Sequence, residues 1–184
     1  MLELRRRTSD DMSACICVLA EVHEADHYPA NWPTHPGRWL TPDGLLEAWV
    51  AVSGSTIVGH VVLQGGACVE PSLTRAVDVL PDRLASVSRL FVAPSVRGHG
   101  VATKLLAAAG RYASVRGLRL TLDVAENCTA AIRLYEQAGW KRTVSTPVEW
   151  LMTNGEPALV HHYLSPPNPT PFPQDGLGGD HQGH

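Results

Sequence analysis

A short turn between a strand and a helix carries residue types that could bind phosphate. Arg97, Gly98, His99 and Gly100 follow an apolar strand and open a helix at Val101. The first amides of a helix have no acceptor within the helix, and the helix dipole adds partial positive charge there. Glycines let the backbone approach a ligand, and an arginine fork suits phosphate oxygens. The segment therefore predicts an anion site that would fit a pyrophosphate.

Two other phosphate loops fit this turn less well. The P-loop pattern needs a glycine before the lysine, and none stands at the required place before Lys104. The dinucleotide fingerprint is half present in Gly98 and Gly100, but Thr103 occupies the third glycine position and Asp123 lies inside the next apolar run. Taken alone, the turn could also be a glycine-rich connection that binds no ligand.

Two strands and two helices must position this turn. The strand is predicted over Leu84–Val92 and the helix over Val101–Arg116, with Gly117 as its cap. A second strand, Leu118–Val124, and a second helical stretch, AAIRLYEQAGW, follow. The apolar stripe of the first helix consists of Val101, Leu105, Ala108, Ala109, Tyr112 and Val115.

The N-terminal half predicts a simpler pattern. We expect a strand over Leu2–Arg6, a helix over Asp10–His23 with Asp10 as its cap, and a hairpin of Ala48–Val52 and Thr56–Leu63. Gly66–Arg83 is longer than a hairpin connection, and a short helix there would place three apolar residues on one face: Leu73, Val77 and Leu80.

The motif R-G-x-G-x-A and the run AAIRLYEQAGW together resemble the GCN5-related N-acetyltransferase (GNAT) superfamily. The resemblance is strong from about Ala85 to Arg142, and the pattern of Leu2–Gly65 fits the same fold. It implies an α/β (α+β) fold with a mixed, mostly antiparallel sheet of about six to seven strands flanked by helices. A V-shaped splay between the fourth and fifth strands is expected. We therefore expect one acyltransferase domain over residues 1–164.

The resemblance also implies a site for acetyl-CoA as co-substrate, without a metal. Tyr135 stands where the family has its general acid, and the strand before the turn would pair with the pantetheine arm. Asn127 lies one residue before the position of the family asparagine, which is Cys128 here, and it could cap the second helix or reach the cofactor. The implied cofactor-binding residues are Leu90, Phe91, Val92, Arg97, Gly98, His99, Gly100, Val101, Ala102, Thr103 and Asn127.

The general base is not identified by the resemblance. Many relatives carry a glutamate on the strand before the turn, and Ser86 stands at the closest position here. Other candidates are Glu70, Asp82, His27, His35 and His60. The amine could instead lose its proton to water or bind already neutral. Nothing basic adjoins Cys128 in the sequence, which argues against a nucleophilic thiol.

The implied reaction is direct attack of an acceptor amine on the thioester. The acceptor would be a primary amine of a small molecule or a protein; the alternative is an acyl-CoA-binding or regulatory module without turnover. In the family, the segment after the first helix helps to wall the acceptor pocket, and residues 26–40 hold aromatic side chains and a carboxylate suited to a cationic amine. These aromatic side chains could equally pack the loop onto the sheet. The candidate recognition residues of this segment are Asp26, His27, Tyr28, Trp32, His35 and Trp39.

Composition limits the remaining function classes. The chain has 184 residues, 44% of them apolar, and a formal net charge of −3. Fifteen basic against eighteen acidic residues predict no nucleic-acid partner, and the triplet Arg5-Arg6-Arg7 is interpreted as a solvated strand end. No run approaches the length of a membrane helix, so we expect a cytoplasmic protein without a membrane partner. A homodimer is left open.

The four cysteines and the C-terminus complete the expectations. Cysteine spacing suggests neither zinc nor disulfides, and adjacent His161 and His162 on a strand would point to opposite faces and share no metal. The segment Ser165–His184 contains many prolines and glycines and few apolar residues, so we predict a disordered tail. A docking segment around Phe172 is the alternative.

Overall fold

The structure is a computed structural model that describes residues 1–151 and 157–167. The strands are β1 (Leu2–Arg6), β2 (Leu45–Ser53), β3 (Thr56–Gly65), β4 (Leu84–Val92), β5 (Arg119–Ala125), β6 (Lys141–Leu151) and β7 (Pro157–Leu164). The helices are α1 (Met12–Asp26), α2 (Pro36–Leu40), α3 (Pro71–Ala76), α4 (Val101–Val115) and α5 (Thr129–Gln137). Most of the predicted tail, residues 168–184, lies outside the described residues, whereas Ser165 is buried and its hydroxyl accepts from the amide of Leu120 at 3.0 Å.

The seven strands form one open sheet in the order β1-β2-β3-β4-β5-β7-β6. All neighbours are antiparallel except β4 and β5, which run parallel. Helix α4 connects this parallel pair, as a crossover must. The predicted fold class is confirmed.

Helices cover both faces of the sheet. An added Cβ at Gly59 would lie 3.0 Å from Leu105 and 3.1 Å from Val101, so α4 packs on the face to which residue 59 points. The next residue, His60, points to the opposite face because strand side chains alternate. There Arg7 bridges the His60 ring to the Leu40 carbonyl at the end of α2.

Strands β4 and β5 pair only along their first halves. Leu84–Val87 matches Arg119–Leu122, and residues 123–125 of β5 have no partner in β4, although they pair with β7 on the other edge of β5. Strand β4 stays on β3, but its register shifts between the partners of His60 and Val62, and Arg89 takes a φ of 50°. This bulge bends β4 away from β5, as bulges do. The predicted splay is present.

The interpretation of the arginine triplet as a solvated strand end holds for Arg6, which is 67% exposed, but not for its two neighbours. The half-buried Arg5 guanidinium donates twice to the buried Asp11 carboxylate at 2.7 Å, and Arg6 pairs with Glu47 at 3.0 Å. Arg7 donates to the Leu40 carbonyl at 2.6 Å. The three side chains thus connect the end of β1 to the start of α1, to β2 and to the end of α2.

Three finer expectations also differ from the structure. Asp10 does not cap α1: the N-cap residue is Asp11, whose carboxylate makes no cap bond to α1 but accepts from the Thr8 amide at 2.7 Å in a capping box on the preceding turn. Val115 is 84% exposed because α4 ends there, beyond the sheet it covers. Leu80 is 68% exposed because α3 stops at Ala76 and Leu80 lies in the following turn.

The described ranges contain neither a metal-binding cluster nor a membrane-spanning helix. Within residues 1–151 and 157–167, no three His, Cys, Asp or Glu side chains lie close enough to share a metal ion. His161 bonds to Ser145 and His162 to Asp123, at 2.7 and 2.6 Å. No helix in these ranges is both long and apolar enough to cross a bilayer.

A buried histidine holds the bulge in β4. His60 is fully buried and stacks on Phe91 at a ring distance of 5.1 Å. Arg7 donates to His60 Nε2 at 2.9 Å, so the proton resides on Nδ1, which donates to the Arg89 carbonyl at 3.0 Å. Burial lowers the pKa of His60 to about 4, and the Arg7 cation adds to that shift. The neutral ring therefore links β1, β3 and β4.

We expect His60 to make stability pH-dependent. Its pKa falls from 6.5 in the unfolded chain to about 4 in the folded protein. As the pH drops from 6.5 to about 4, His60 becomes protonated in the unfolded chain but stays neutral in the folded protein. The free energy of unfolding therefore decreases. The loss approaches about 3 kcal/mol below pH 4. Denaturant titrations at several pH values should show that His60→Gln removes this slope, whereas the exposed control His35→Gln keeps it; an unchanged slope in His60→Gln would contradict the assignment.

Candidate active site

The splay exposes one edge of strand β4. Leu90, Phe91 and Val92 lie beyond the last pair with β5, and within the described residues no strand covers that edge. The Phe91 side chain is buried against His60, and Leu90 and Val92 are half-buried. The backbone, rather than these side chains, is what the splay offers to a ligand.

The predicted turn has the conformation that its glycines allow. Gly98 and Gly100 have φ values of 78° and 72°, and a Cβ on either would meet nothing within 4 Å. No side chain caps the first turn of α4. The His99 ring folds back onto the Arg97 carbonyl at 2.9 Å. Open space and uncapped amides therefore coincide at the start of this helix, which suits an anion.

The three residues that begin α4 serve it differently. Val101 is buried and packs toward Gly59, where α4 approaches the sheet most closely. Ala102 and Thr103 are half-buried in the same first turn. Their amides belong to the open end of the helix, because only amides beyond the first turn find partners inside it.

Arg97 has a protein partner that the sequence did not predict. Its guanidinium forms a two-pronged pair with Asp26 at the end of α1, with Nη1 3.0 Å from Oδ1. Both side chains are exposed, at 41% and 43%. An exposed pair of this kind is weak, so it holds Arg97 only lightly.

Tyr135 lies in α5 with its ring buried against Trp140 and Tyr163. Burial raises the pKa of its hydroxyl well above the usual value, and the neighbouring Tyr28 and Cys128 raise it further. Within the described residues, no side chain or backbone group hydrogen-bonds with this hydroxyl. The phenol is therefore protonated and free to donate.

Tyr28 and Cys128 approach the same region. Tyr28 packs edge-on against Trp39 and keeps 36% of its surface exposed, yet burial of the hydroxyl raises its pKa to about 12. Burial also raises the pKa of the Cys128 thiol, with Asp26 contributing. A raised thiol pKa argues against a nucleophile, as expected from the sequence.

Asn127 is exposed and does not cap α5. The N-cap residue of that helix is Cys128, whose thiol lies 3.7 Å from the Asn127 side-chain oxygen, and no side chain caps the first turn. The capping alternative for Asn127 is therefore wrong, because the helix begins one residue later than that role requires. A contact between Asn127 and the cofactor stays a prediction.

No candidate base is clearly poised at the splay. Ser86 lies in the paired half of β4, opposite Gln64 and Thr121. Glu70 caps α3, and its bond from the Ser72 amide lowers its pKa. His60 is sealed in the core. Asp82 and His27 are exposed in other turns, while His35 lines a pocket described next.

The structure reveals one functional candidate that sequence reasoning missed. Arg89 forms the β4 bulge and lines a pocket of about 290 Å³ beside the splay. Its Nε donates to the Trp39 carbonyl at 3.2 Å, and its guanidinium lies 4.8 Å from the Trp39 ring centre. A charged residue directly before the apolar Leu90–Val92 was the available signal. The remaining lining residues are His35, Arg38, Trp39, Thr41, Pro42 and Asp43.

The segment expected to wall the acceptor pocket divides into two parts. Trp39 and His35 line the pocket, and Tyr28 packs on Trp39. Trp32 instead packs on His23, and Asp26 is held by Arg97. One face of Trp39 is already covered by the Arg89 cation, so it is not open for cation–π attraction to an amine.

Solved structures share this architecture. The ribosomal-protein-S18-alanine N-acetyltransferase from Escherichia coli superposes with a TM-score of 0.68 at 16% identity. The match covers 97% of this chain and 100% of that protein. Arabidopsis thaliana NAA60 in complex with acetyl-CoA gives a TM-score of 0.68 at 18% identity, covering 89% and 97%. An N-acetyltransferase from Staphylococcus aureus Mu50 gives 0.67 at 16% identity, covering 89% and 97%. At these identities the likeness establishes the fold.

Sequence comparison supplies the family. No curated protein is similar enough in sequence to count as a relative. The family model described as the acetyltransferase (GNAT) family matches residues 12–140, which include β4, the glycine turn, α4 and Tyr135. The matched region spans well over half of the chain. This chain therefore belongs to the GNAT acetyltransferase family.

Proposed function

We propose that the protein is an N-acetyltransferase that uses acetyl-CoA and a primary amine of a small molecule or protein. The observation that carries this proposal is the splay of β4 and β5, which opens directly onto the uncapped start of α4. A long ligand with a phosphate end and an amide-bearing arm matches both features at once. Acetyl-CoA has that shape, and it would supply the thioester carbonyl that the amine attacks.

Each part of the site has a distinct binding role in this proposal. The amides of residues 98–103 bind the pyrophosphate, and the edge of β4 at Leu90–Val92 pairs with the pantetheine arm like an additional strand. Arg97 adds a cation once its side chain exchanges Asp26 for a phosphate oxygen. Holding both substrates along one strand edge lowers the entropic part of the barrier.

Tyr135 acts as the general acid in this proposal. The amine nitrogen forms a bond to the thioester carbonyl carbon, the carbon–sulfur bond breaks, and the Tyr135 hydroxyl donates its proton to the leaving sulfur. The raised pKa of Tyr135 supports this role, because the group stays protonated at neutral pH. Ser86 cannot remove a proton alone. An amine that arrives neutral still loses one proton from its nitrogen after attack, and that proton goes to water, which returns one to the Tyr135 phenolate.

A catalytically silent acyl-CoA-binding module is the second candidate, and Ser86 in place of a strand carboxylate favours it. Such a module would be stabilised by CoA against heating and would release no thiol from acetyl-CoA. Thiol release with a panel of amines therefore separates the two functions. The protonated, unbonded Tyr135 hydroxyl favours turnover.

Replacing Gly100 with Asp should abolish CoA binding. The change places a side chain and a negative charge where the amides of α4 would bind phosphate. Gly54→Asp is the matched control, because Gly54 has a φ of 62° and equally open surroundings in the β2–β3 turn. Calorimetry with CoA should show lost binding for Gly100→Asp alone; equal affinity in both folded variants would rule out this phosphate site.

Replacing Asp26 with Asn should strengthen CoA binding, by at most about fivefold at low salt. Asp26 competes with phosphate for Arg97 and carries the same charge as the ligand. Asp10→Asn removes an equal charge from an exposed site and serves as control. Calorimetry at two salt concentrations tests this expectation. Weaker CoA binding by Asp26→Asn would show that the pair supports the bound state.

Replacing Tyr135 with Phe should lower turnover by about 100-fold to 10,000-fold. The ring and its packing stay while the donated proton is lost, so acetyl-CoA affinity should hardly change. Tyr112→Phe, on α4, is the control. Single-turnover thiol release measures the rate of the chemical step. Full activity of Tyr135→Phe in this assay would show that another group protonates the leaving thiolate, and Tyr28 would be the next candidate.

A further inference from the structure

The pocket beside the splay is lined mainly by cationic side chains. It lies between α2, the segment that follows α2 and the β4 bulge, with a volume of about 290 Å³. Arg38, Arg89 and His35 line it together with a single carboxylate, Asp43. Two guanidinium groups thus share one small pocket although the net charge of the chain is −3. Such a pocket attracts anions.

Among the described residues, Arg89 lacks an ion-pair partner. Arg5, Arg6 and Arg97 each form an ion pair with a carboxylate. No carboxylate in the described parts of the chain lies within ion-pair distance of Arg89. Its Nε bonds to the Trp39 carbonyl, which leaves the two Nη groups without a hydrogen-bond acceptor among the described residues. Arg89 is half-buried, so it has lost part of its hydration without a carboxylate in return, and a ligand that supplies one would be favoured.

The surroundings fix the direction of this guanidinium. The Trp39 ring stacks on it, and the bulge that carries it is held by His60 through the Arg89 carbonyl. Burial lowers the pKa of Arg89, which reflects the missing partner. A preorganised guanidinium fork with free Nη groups matches a carboxylate in two parallel hydrogen bonds.

The pocket also adjoins the proposed chemistry. Arg89 immediately precedes Leu90, the first residue of the strand edge assigned to the pantetheine arm. Tyr28 contacts Trp39, whose ring covers Arg89, and lies near both Arg89 and Tyr135. A molecule bound to Arg89 would therefore sit beside the proposed position of the thioester. The open pocket of about 290 Å³ has room for a small molecule.

We propose that the acceptor is a small amine that also carries a carboxylate, an amino acid or a close analogue, with Arg89 binding the carboxylate. Arg38 adds a second cation at the exposed side of the pocket. This inference rests on the proposed acetyl transfer, and it replaces the expected recognition of the amine by aromatic faces. The carboxylate anchors the acceptor while its amine reaches the strand edge.

The test compares acids with their neutral counterparts. Thiol release from acetyl-CoA is measured with the proteinogenic amino acids, β-alanine and γ-aminobutyrate, each beside its carboxamide, and with a peptide carrying a free N-terminus and lysine. We expect the acids to have the higher kcat/KM. Arg89→Gln should lower kcat/KM for the best acid by about 10- to 100-fold through KM, and leave its carboxamide nearly unchanged. Arg38→Gln, at an exposed position, should act in the same direction with less effect.

Controls keep the inference separate from the proposed function. Arg111→Gln removes an exposed arginine from α4 on the other face of the sheet and should change neither substrate class. Arg89→Lys keeps the charge and should restore part of the loss. Equal or better turnover of carboxamides or peptide, or turnover of these with none of any acid, would overturn the carboxylate site. Failure to bind acetyl-CoA, or no thiol release with any amine, would overturn the proposed function itself.

Discussion

The incomplete pairing of two parallel strands is the constraint on which this site depends. Strands β4 and β5 share only four residue pairs before β4 bends at Arg89. Backbone amides and carbonyls on the freed edge need partners when water is excluded. Beyond these pairs the facing edges of β4 and β5 stay open, next to the uncapped start of α4. The proposed ligand site therefore follows directly from the geometry of the sheet.

A network of hydrogen-bonded polar groups in and beside the core keeps that edge in place. Arg7, the His60 ring and the Arg89 carbonyl form a continuous line of hydrogen bonds that joins the edge strand β1 to the bulge. Each polar group in it is satisfied by the next, which is the condition for burying such groups without a large cost. The backbone of Arg89 is thus fixed from within the core, and its side chain is free to serve the pocket. The Arg89 carbonyl thus stabilises the fold, whereas its guanidinium is the group proposed to bind a ligand.

Local sequence patterns predicted most of the fold, including the glycine turn that precedes α4. β4 was predicted with its observed bounds and α4 to within one residue, because apolar periodicity and turn residues act over short distances. Contacts between distant segments were not predictable in that way. The Arg97–Asp26 pair spans 71 residues, and the Arg89 bulge arises from the register of β3 against β4. The charge of the pocket follows from such contacts, which is why the sequence suggested aromatic recognition instead.

Gly59 sets a dimension of the site. Because residue 59 has no side chain, Val101 and Leu105 of α4 approach the β3 backbone so closely that a single methyl group would touch both, at 3.1 and 3.0 Å. Helix α4 starts at the glycine turn proposed to bind phosphate, and β3 pairs with β4, whose open edge is proposed to bind the pantetheine arm. Close packing at Gly59 therefore fixes the distance between these two parts of the proposed site. A residue that would touch no ligand thus sets how long a ligand the two parts could hold together.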